Sequence, residues 1–347
     1  MAIKPYKIFN KTRHHMGLFF IGKYSDFFVE TENKKEADIC FSDFFPNQKR
    51  QKAEPKTVYI FSIDRSLTPR KNIRTGNVVD QHYIEGMTFD GIVFGKTFDL
   101  YAPNVINSPL PHMKHQNISK DKEYFRVIDE SPFKHYDKCV WKARVGTHMT
   151  RKTVIDYLSN KNDKRLDLTC WTPESGKPYN WNHQGTTPIQ EWEYDNYSNK
   201  LSNSDLGLVI RGDRRWLFSF WDVVRAGSIP VCINTQYHNL GWEDIGYDPN
   251  DLFLSYDLTK NDTLEDVYQG IDNLLNNPDK CFKMKNNMRK FYKEMYLTDR
   301  SHKQETVVPW LNGFADFYAA KLIEIIENGF ELKSNKLFCN KIFDIKK

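Results

Sequence analysis

The stretch Leu206-Gly-Leu-Val-Ile-Arg211-Gly212, followed by Asp222 and then by Arg225-Ala-Gly-Ser-Ile-Pro230-Val231, decides the fold class. It reads as a buried strand, a polar turn, an amphipathic helix, a tight glycine turn and a second buried strand. Apolar runs that do not alternate belong to strands covered on both faces, as in parallel α/β sheets. In an open sheet of that kind, a nucleotide binds in the crevice outside the strand carboxyl ends. Here the crevice receives Arg211, Gly212, Asp213 and Arg214, with Asp222 entering from the helix. Guanidinium groups and backbone N–H groups suit a diphosphate. A carboxylate one helical turn further in suits ribose hydroxyls.

A second stretch has the same character: Arg144-Val-Gly146-Thr147-His148-Met-Thr-Arg151. It follows the apolar run at 138–142 and opens a helix predicted over 151–158. Gly146 and Thr147 therefore offer N–H groups at a helix N-terminus, where anions bind. Arg144 and Arg151 flank that point. Solvated arginines beside an N-capped helix are the ordinary alternative, but two arginine-bearing turns after two strands of one sheet favour a shared ligand.

These residues resemble the exostosin-like glycosyltransferases. Arg211-Gly212 falls on that family's Arg-Gly, Asp222 on its helix carboxylate, and Ile229-Pro230-Val231 on its closing strand. Where the family has a Ser and, two residues later, an Arg, this chain has Leu217 and Ser219. Ser219 stays among the candidate donor contacts, and Arg214 and Arg215 are the neighbouring cations that can replace the missing one. The resemblance implies a GT-B fold: α/β, two Rossmann-like domains facing a central cleft, and a C-terminal helix packing back on the first domain. It implies a first, acceptor-side domain over 1–133, a nucleotide-sugar domain over 134–304, and a returning helix and tail over 305–347. A UDP-sugar is the implied donor and an oligosaccharide or glycan the implied acceptor.

Paired carboxylates eight residues apart mark retaining enzymes of this fold. Asp222 occupies the second place, but eight residues earlier stands Arg214. The expectation is an inverting enzyme with one general base. Asp64, just past the apolar run 57–62, is the first candidate, and its place resembles the strand-end base of fucosyltransferases. Asp80 with His82 is a second candidate. His148 is a third, expected to touch the diphosphate or base more than to take the proton. Asp-x-Asp is absent from the chain, the nearest approach being Glu193-x-Asp195. A metal-dependent enzyme needs clustered carboxylates to hold its ion against the diphosphate, so neither a metal nor another cofactor is expected. Two competing readings stay open: a fucosyltransferase-like GDP-sugar enzyme, and a catalytically silent glycan-binding protein of the same fold.

The remainder of the sequence sets the frame. The chain has 347 residues, with 50 Lys and Arg against 45 Asp and Glu; that balance points away from nucleic acid. Six scattered cysteines show no metal spacing. The opening residues carry no signal-peptide core, and no run approaches the roughly 18 apolar residues of a membrane span. A cytoplasmic setting is expected. Strands are predicted at 6–9, 17–21, 26–31, 38–44, 57–62, 91–94, 138–142, 166–171 and 251–256, and helices at 196–202, 264–276, 279–296 and 314–328. Residues 102–122 read as a connection. Trp171, Trp181, Trp192, Trp216, Trp221 and Trp242 are either core residues or platforms for sugar rings.

Overall fold

A computed structural model describes residues 4–10, 21–22, 24–43, 54–61, 70–71, 78–79, 92–95, 105–107, 127, 131–143, 148–170, 191–212, 217–296 and 315–339. Two parallel sheets organise them. The first runs β2-β1-β3-β4-β7-β8, with β1 at Tyr6–Asn10, β2 at Phe28–Glu30, β3 at Ile39–Asp43, β4 at Thr57–Phe61, β7 at Ile92–Gly95 and β8 at Val105–Asn107. A two-residue antiparallel ladder, β5 (Arg70–Lys71) with β6 (Val78–Val79), stands apart from it. The second sheet runs β10-β9-β11-β12-β13, with β9 at Cys139–Ala143, β10 at Leu166–Cys170, β11 at Leu206–Ile210, β12 at Ile229–Ile233 and β13 at Leu254–Tyr256. The expected architecture, α/β with two parallel sheets, is the one the chain adopts. In each sheet the chain steps outward once, then returns to the other side of its first strand. Such a reversal opens a crevice between carboxyl ends. The two crevices lie at β1/β3 and at β9/β11.

Among the described residues, six whole helices flank the sheets: α1 (Met149–Asn160), α2 (Glu191–Ser202), α3 (Phe218–Arg225), α4 (Leu264–Leu275), α5 (Pro278–Phe291) and α6 (Ala315–Glu327). Side chains alternate across the second sheet as the two-residue strand period requires. Leu206, Leu208 and Ile210 pack with Val154, Ile155 and Leu158 of α1 and with Val267, Ile271 and Leu274 of α4. Val209 joins the opposite core with Leu201 of α2 and Phe220, Val223 and Val224 of α3.

Gly207 is required by that second face. A Cβ there would lie 2.5 Å from Val223 Cγ2 and 3.0 Å from Leu201 Cδ2. Both helices have closed onto the bare backbone of β11. Gly207→Ala is expected to push α3 off the sheet and cost about 1–3 kcal/mol of overpacking, measured as a fall in urea midpoint at unchanged m-value. Pro230 in central β12 has a different explanation. The Ile229 N–H donates to the Asp205 carbonyl at 2.8 Å, toward β11. By alternation residue 230 faces β13, whose pairing begins only at Val231 with Leu254. The missing N–H therefore breaks no ladder bond.

The C-terminal helix returns to the first sheet, as expected. Tyr24 Oη donates to Asp316 at 2.5 Å and Tyr6 Oη to Glu327 at 3.1 Å. Phe317, Tyr318, Leu322 and Ile325 share one core with Ile8, Phe28, Ile39, Phe41 and Val58. Gly329, at φ 68°, ends the helix. The tail then crosses to the second half, where Phe338 stacks edge-on against Trp242 at 5.0 Å. Trp242 and Trp221 are both fully buried, so neither offers a face to a sugar.

Two expected strands differ. Ile21 and Gly22, at the end of the strand expected over 17–21, are helical; a short apolar run without alternation fits a buried helix equally well. The strand expected over 251–256 starts only at Leu254. Pro249 opens a 3-10 turn whose first N–H groups are capped by Asp248, through its bond from Asn250 N–H.

Candidate functional site

At the β9/β11 reversal the first turn of α1 meets the end of β11. His148 is the N-cap of α1, and its Nδ1 accepts the Thr150 N–H at 3.1 Å. With Nδ1 used as an acceptor, the neutral ring carries its proton on Nε2. The imidazole thus offers a donor, which suits an anion better than a proton to be removed. Arg151, three residues on, donates from Nε to the carbonyl of Ile210 at 3.2 Å. Ile210 ends β11, and Arg211 and Gly212 follow it directly. The Arg211 N–H donates in turn to the Ile233 carbonyl at 3.0 Å, which holds the second turn against β12.

Asp222 enters the same neighbourhood from α3. The phenol of Tyr197, on α2, is pushed well above its usual range, first by burial and next by the Asp222 carboxylate; the Arg151 guanidinium acts in the opposite sense. Asp222 and Arg151 therefore both lie within electrostatic reach of the Tyr197 hydroxyl. Asp222 also lies 4.0 Å from Arg225 Nη1, and both side chains are largely enclosed. Ser219 is half-buried in the first turn of α3.

Asn234 holds this edge together. It occupies the left-handed region at φ 54°, which Asn tolerates better than most residues. Its Nδ2 donates to Thr150 Oγ1 at 3.2 Å, its Oδ1 accepts the Leu258 N–H at 2.7 Å, and its own N–H donates to the Tyr256 carbonyl at 2.8 Å. One side chain thus joins the start of α1 to the exits of β12 and β13. Asn234→Ala is expected to lose about 1–3 kcal/mol, from two hydrogen bonds and a backbone strained for alanine. Asn234→Gly relieves only the backbone part, so thermal unfolding is expected to rank the parent first, glycine second and alanine last.

Sequence reasoning missed Tyr197 and Asn234. No motif marks Tyr197; the only trace of Asn234 is an Asn directly after an all-buried strand. Asp64, Arg144, Gly146, Thr147, Asp213 and Arg214 lie outside the described residues, as do Asp80, His82, Trp171, Trp181, Trp216 and the side chain of Trp192.

The opposite, amino-terminal edge carries a different cluster. Asp205, fully buried before β11, accepts the N–H groups of Tyr136 and Asp137 at 2.8 and 2.7 Å, and Lys285 Nζ of α5 at 2.7 Å. His135 Nδ1 stands 3.0 Å from the same carboxylate. Cys281 is nearby, its thiol pushed up to about 12 by burial. His135, Asp205 and Cys281 have the side-chain types of a metal site. The buried ammonium of Lys285 already supplies the cation there. Phe133 receives the Arg289 guanidinium at 3.8 Å, which completes a clasp between residues 131–137 and α5.

No family model matches the chain. Among curated proteins, Exostosin-1b of Danio rerio is 28% identical over 149 residues, covering 41% of this chain and 19% of its own length. Exostosin-1a of the same fish is 27% identical over 149 residues, with the same coverage. The chain thus spans about a fifth of the length of these relatives. Among solved structures, an α1,3-fucosyltransferase aligns over 82% of both chains, at 14% identity and a TM-score of 0.40. An α1,3-fucosyltransferase with GDP aligns over 96% of this chain and 95% of its own, at 13% identity and a TM-score of 0.39. The chain is exostosin-like in sequence over the matched stretch.

Proposed function

We propose that the chain is an inverting glycosyltransferase that holds a nucleotide-diphosphate sugar at the β9/β11 edge and passes the sugar to a glycan hydroxyl. The observation that carries this reading is the bond from Arg151 Nε to the Ile210 carbonyl, 3.2 Å long. It joins the first turn of α1 to the end of β11, 59 residues apart in the chain, at the topological reversal where nucleotides bind in such sheets. The exostosin resemblance supports the same reading and favours UDP as the nucleotide.

In the step proposed, the acceptor oxygen attacks the anomeric carbon from the face opposite the diphosphate. Its proton passes to a base on the acceptor side, with Asp64 as first candidate. The bond from the anomeric carbon to the diphosphate oxygen breaks, and its electron pair leaves with the nucleoside diphosphate. Guanidinium groups and helix N–H groups aimed at the leaving oxygens stabilise the charge that develops there. Arginine charge takes the part that a bound ion plays in metal-dependent enzymes, so the proposed reaction needs no metal. A cytoplasmic location is proposed with it: Cys40, Cys139, Cys232 and Cys281 are buried free thiols, which suits a reducing compartment. No helix among the described residues is long and apolar enough to cross a membrane.

Thermal shift with UDP, GDP and CMP, paired with UDP-sugar hydrolysis in the presence and absence of EDTA, tests this reading. A shift with UDP and EDTA-insensitive turnover are expected. A shift with GDP alone would reassign the donor, and loss of turnover in EDTA would overturn metal independence. Stability unmoved by any of the three nucleotides would remove the transferase reading.

A further inference from the structure

Beyond β12 the chain builds a second concavity. Three short 3-10 turns follow, Tyr237–Leu240, Trp242–Ile245 and Pro249–Asp251, separated by Gly241 at φ 92° and Gly246 at φ 81°. With Lys336 of the tail they enclose an open groove of about 590 Å³, a volume suited to a small-molecule ligand. Its walls carry His238, Asn239, Tyr247, Asp248 and Asn250. Asp248 Oδ1 accepts the Asn250 backbone and side-chain N–H groups at 2.9 and 3.0 Å. The Asn239 carboxamide, the His238 imidazole, the Asn250 amide oxygen and the second Asp248 oxygen place donors and acceptors side by side. Tyr247 adds a flat surface that cannot swing. Its hydroxyl donates to Glu294 Oε2 at 2.5 Å, and its ring stands edge-on to Phe291 at 5.3 Å. Mixed hydrogen-bonding groups around one fixed aromatic ring are what a sugar needs, with hydroxyls on its edge and C–H groups on its face.

Charge narrows the ligand further. Lys336, the lysine of this lining, is held in an ion pair with Glu243, and Asp248 is a carboxylate. The described lining therefore has no excess of positive charge to attract a uronate or a phosphate. Position adds a second argument. The Tyr237 hydroxyl accepts the Leu217 N–H at 3.0 Å and also donates to the Leu217 carbonyl. This ties the first turn of the groove to the start of α3, which in the chain follows shortly after Arg211 and Gly212.

We infer that this groove is a binding site for a neutral saccharide. Its further identification as part of the acceptor subsite rests on the transferase reading; the saccharide site itself rests on the lining. Saturation-transfer NMR on the full chain, with lactose and di-N-acetylchitobiose as neutral probes and glucuronic acid as the anionic one, tests it. At least one disaccharide is expected to receive saturation, in preference to glucuronic acid. Asn239→Ala, at an exposed position, and Tyr247→Leu are each expected to weaken that binding about tenfold, the loss of one or two polar or aromatic contacts. The nucleotide thermal shift should be unchanged in Asn239→Ala, which also shows that this variant is folded. Silence from both disaccharides, equal transfer in parent and Asn239→Ala, or preference for glucuronic acid would overturn the groove as a neutral-sugar site. Saccharide binding with no nucleotide binding would instead overturn the transferase reading and leave the groove in place.

Discussion

Arg151→Ala is expected to weaken nucleotide-diphosphate binding by about 10- to 150-fold, the worth of one charged hydrogen bond at 1.5–3 kcal/mol. The reason is geometric as much as electrostatic. Arg151 Nε holds the Ile210 carbonyl, so truncation removes a cation and also releases the backbone that presents Arg211 and Gly212. Arg151→Lys keeps the charge but not the planar fork that bonds in two directions, and it is expected to recover less than half of the lost free energy. Calorimetric titration with UDP measures both variants. Uridine is the control: without a diphosphate, its affinity should be nearly the same for parent and variants. An equal loss for uridine and UDP would show that Arg151 serves the fold alone.

Asp205→Ala is the variant expected to cost most stability, about 3–5 kcal/mol, because it strands the ammonium of Lys285 in the interior without its counter-charge. Lys285 and Asp205 are 1% and 0% exposed, so water cannot replace the lost partner. The N–H groups of Tyr136 and Asp137 lose their acceptor in the same stroke. Urea unfolding followed by tryptophan fluorescence gives the number. Replacing both charges, Asp205→Leu with Lys285→Met, should recover part of the loss, since a buried pair exchanged for apolar groups is far less costly than half a pair. A double variant no more stable than Asp205→Ala would mean that the two backbone bonds, not the ion pair, hold residues 131–137 to α5.

Strands were legible where burial on both faces wrote an unbroken apolar run, as in 206–210 and 229–233. The flanking arginines, glycines and Asp222 were legible as candidates for a diphosphate site, because few residue types suit one. The contact of Arg151 with the end of β11 was not legible. It depends on β11 lying beside β9 and not beside β10, a matter of strand order that no local pattern encodes. Tyr197 was invisible for the same reason: a tyrosine on a polar helix acquires meaning only from what the sheet brings to it. Lys285 stands in a helix rich in lysine and reads as solvated there. Only the packing of 131–137 across α5 buries it. The tryptophans show the converse. Core was the default reading of Trp221 and Trp242, and both are buried; for Trp242 the tail adds to the enclosure by laying Phe338 against it.

The central claim is that both basic turns grip one pyrophosphate, and a crystal structure of the chain with UDP bound is its most direct test. The two phosphates are expected outside the carboxyl ends of β9 and β11, within hydrogen-bond distance of Arg151 or the first turn of α1 on one side and of Arg211 or Gly212 on the other. Phosphates resting on one turn only, or at the β1/β3 crevice of the other sheet, would contradict it.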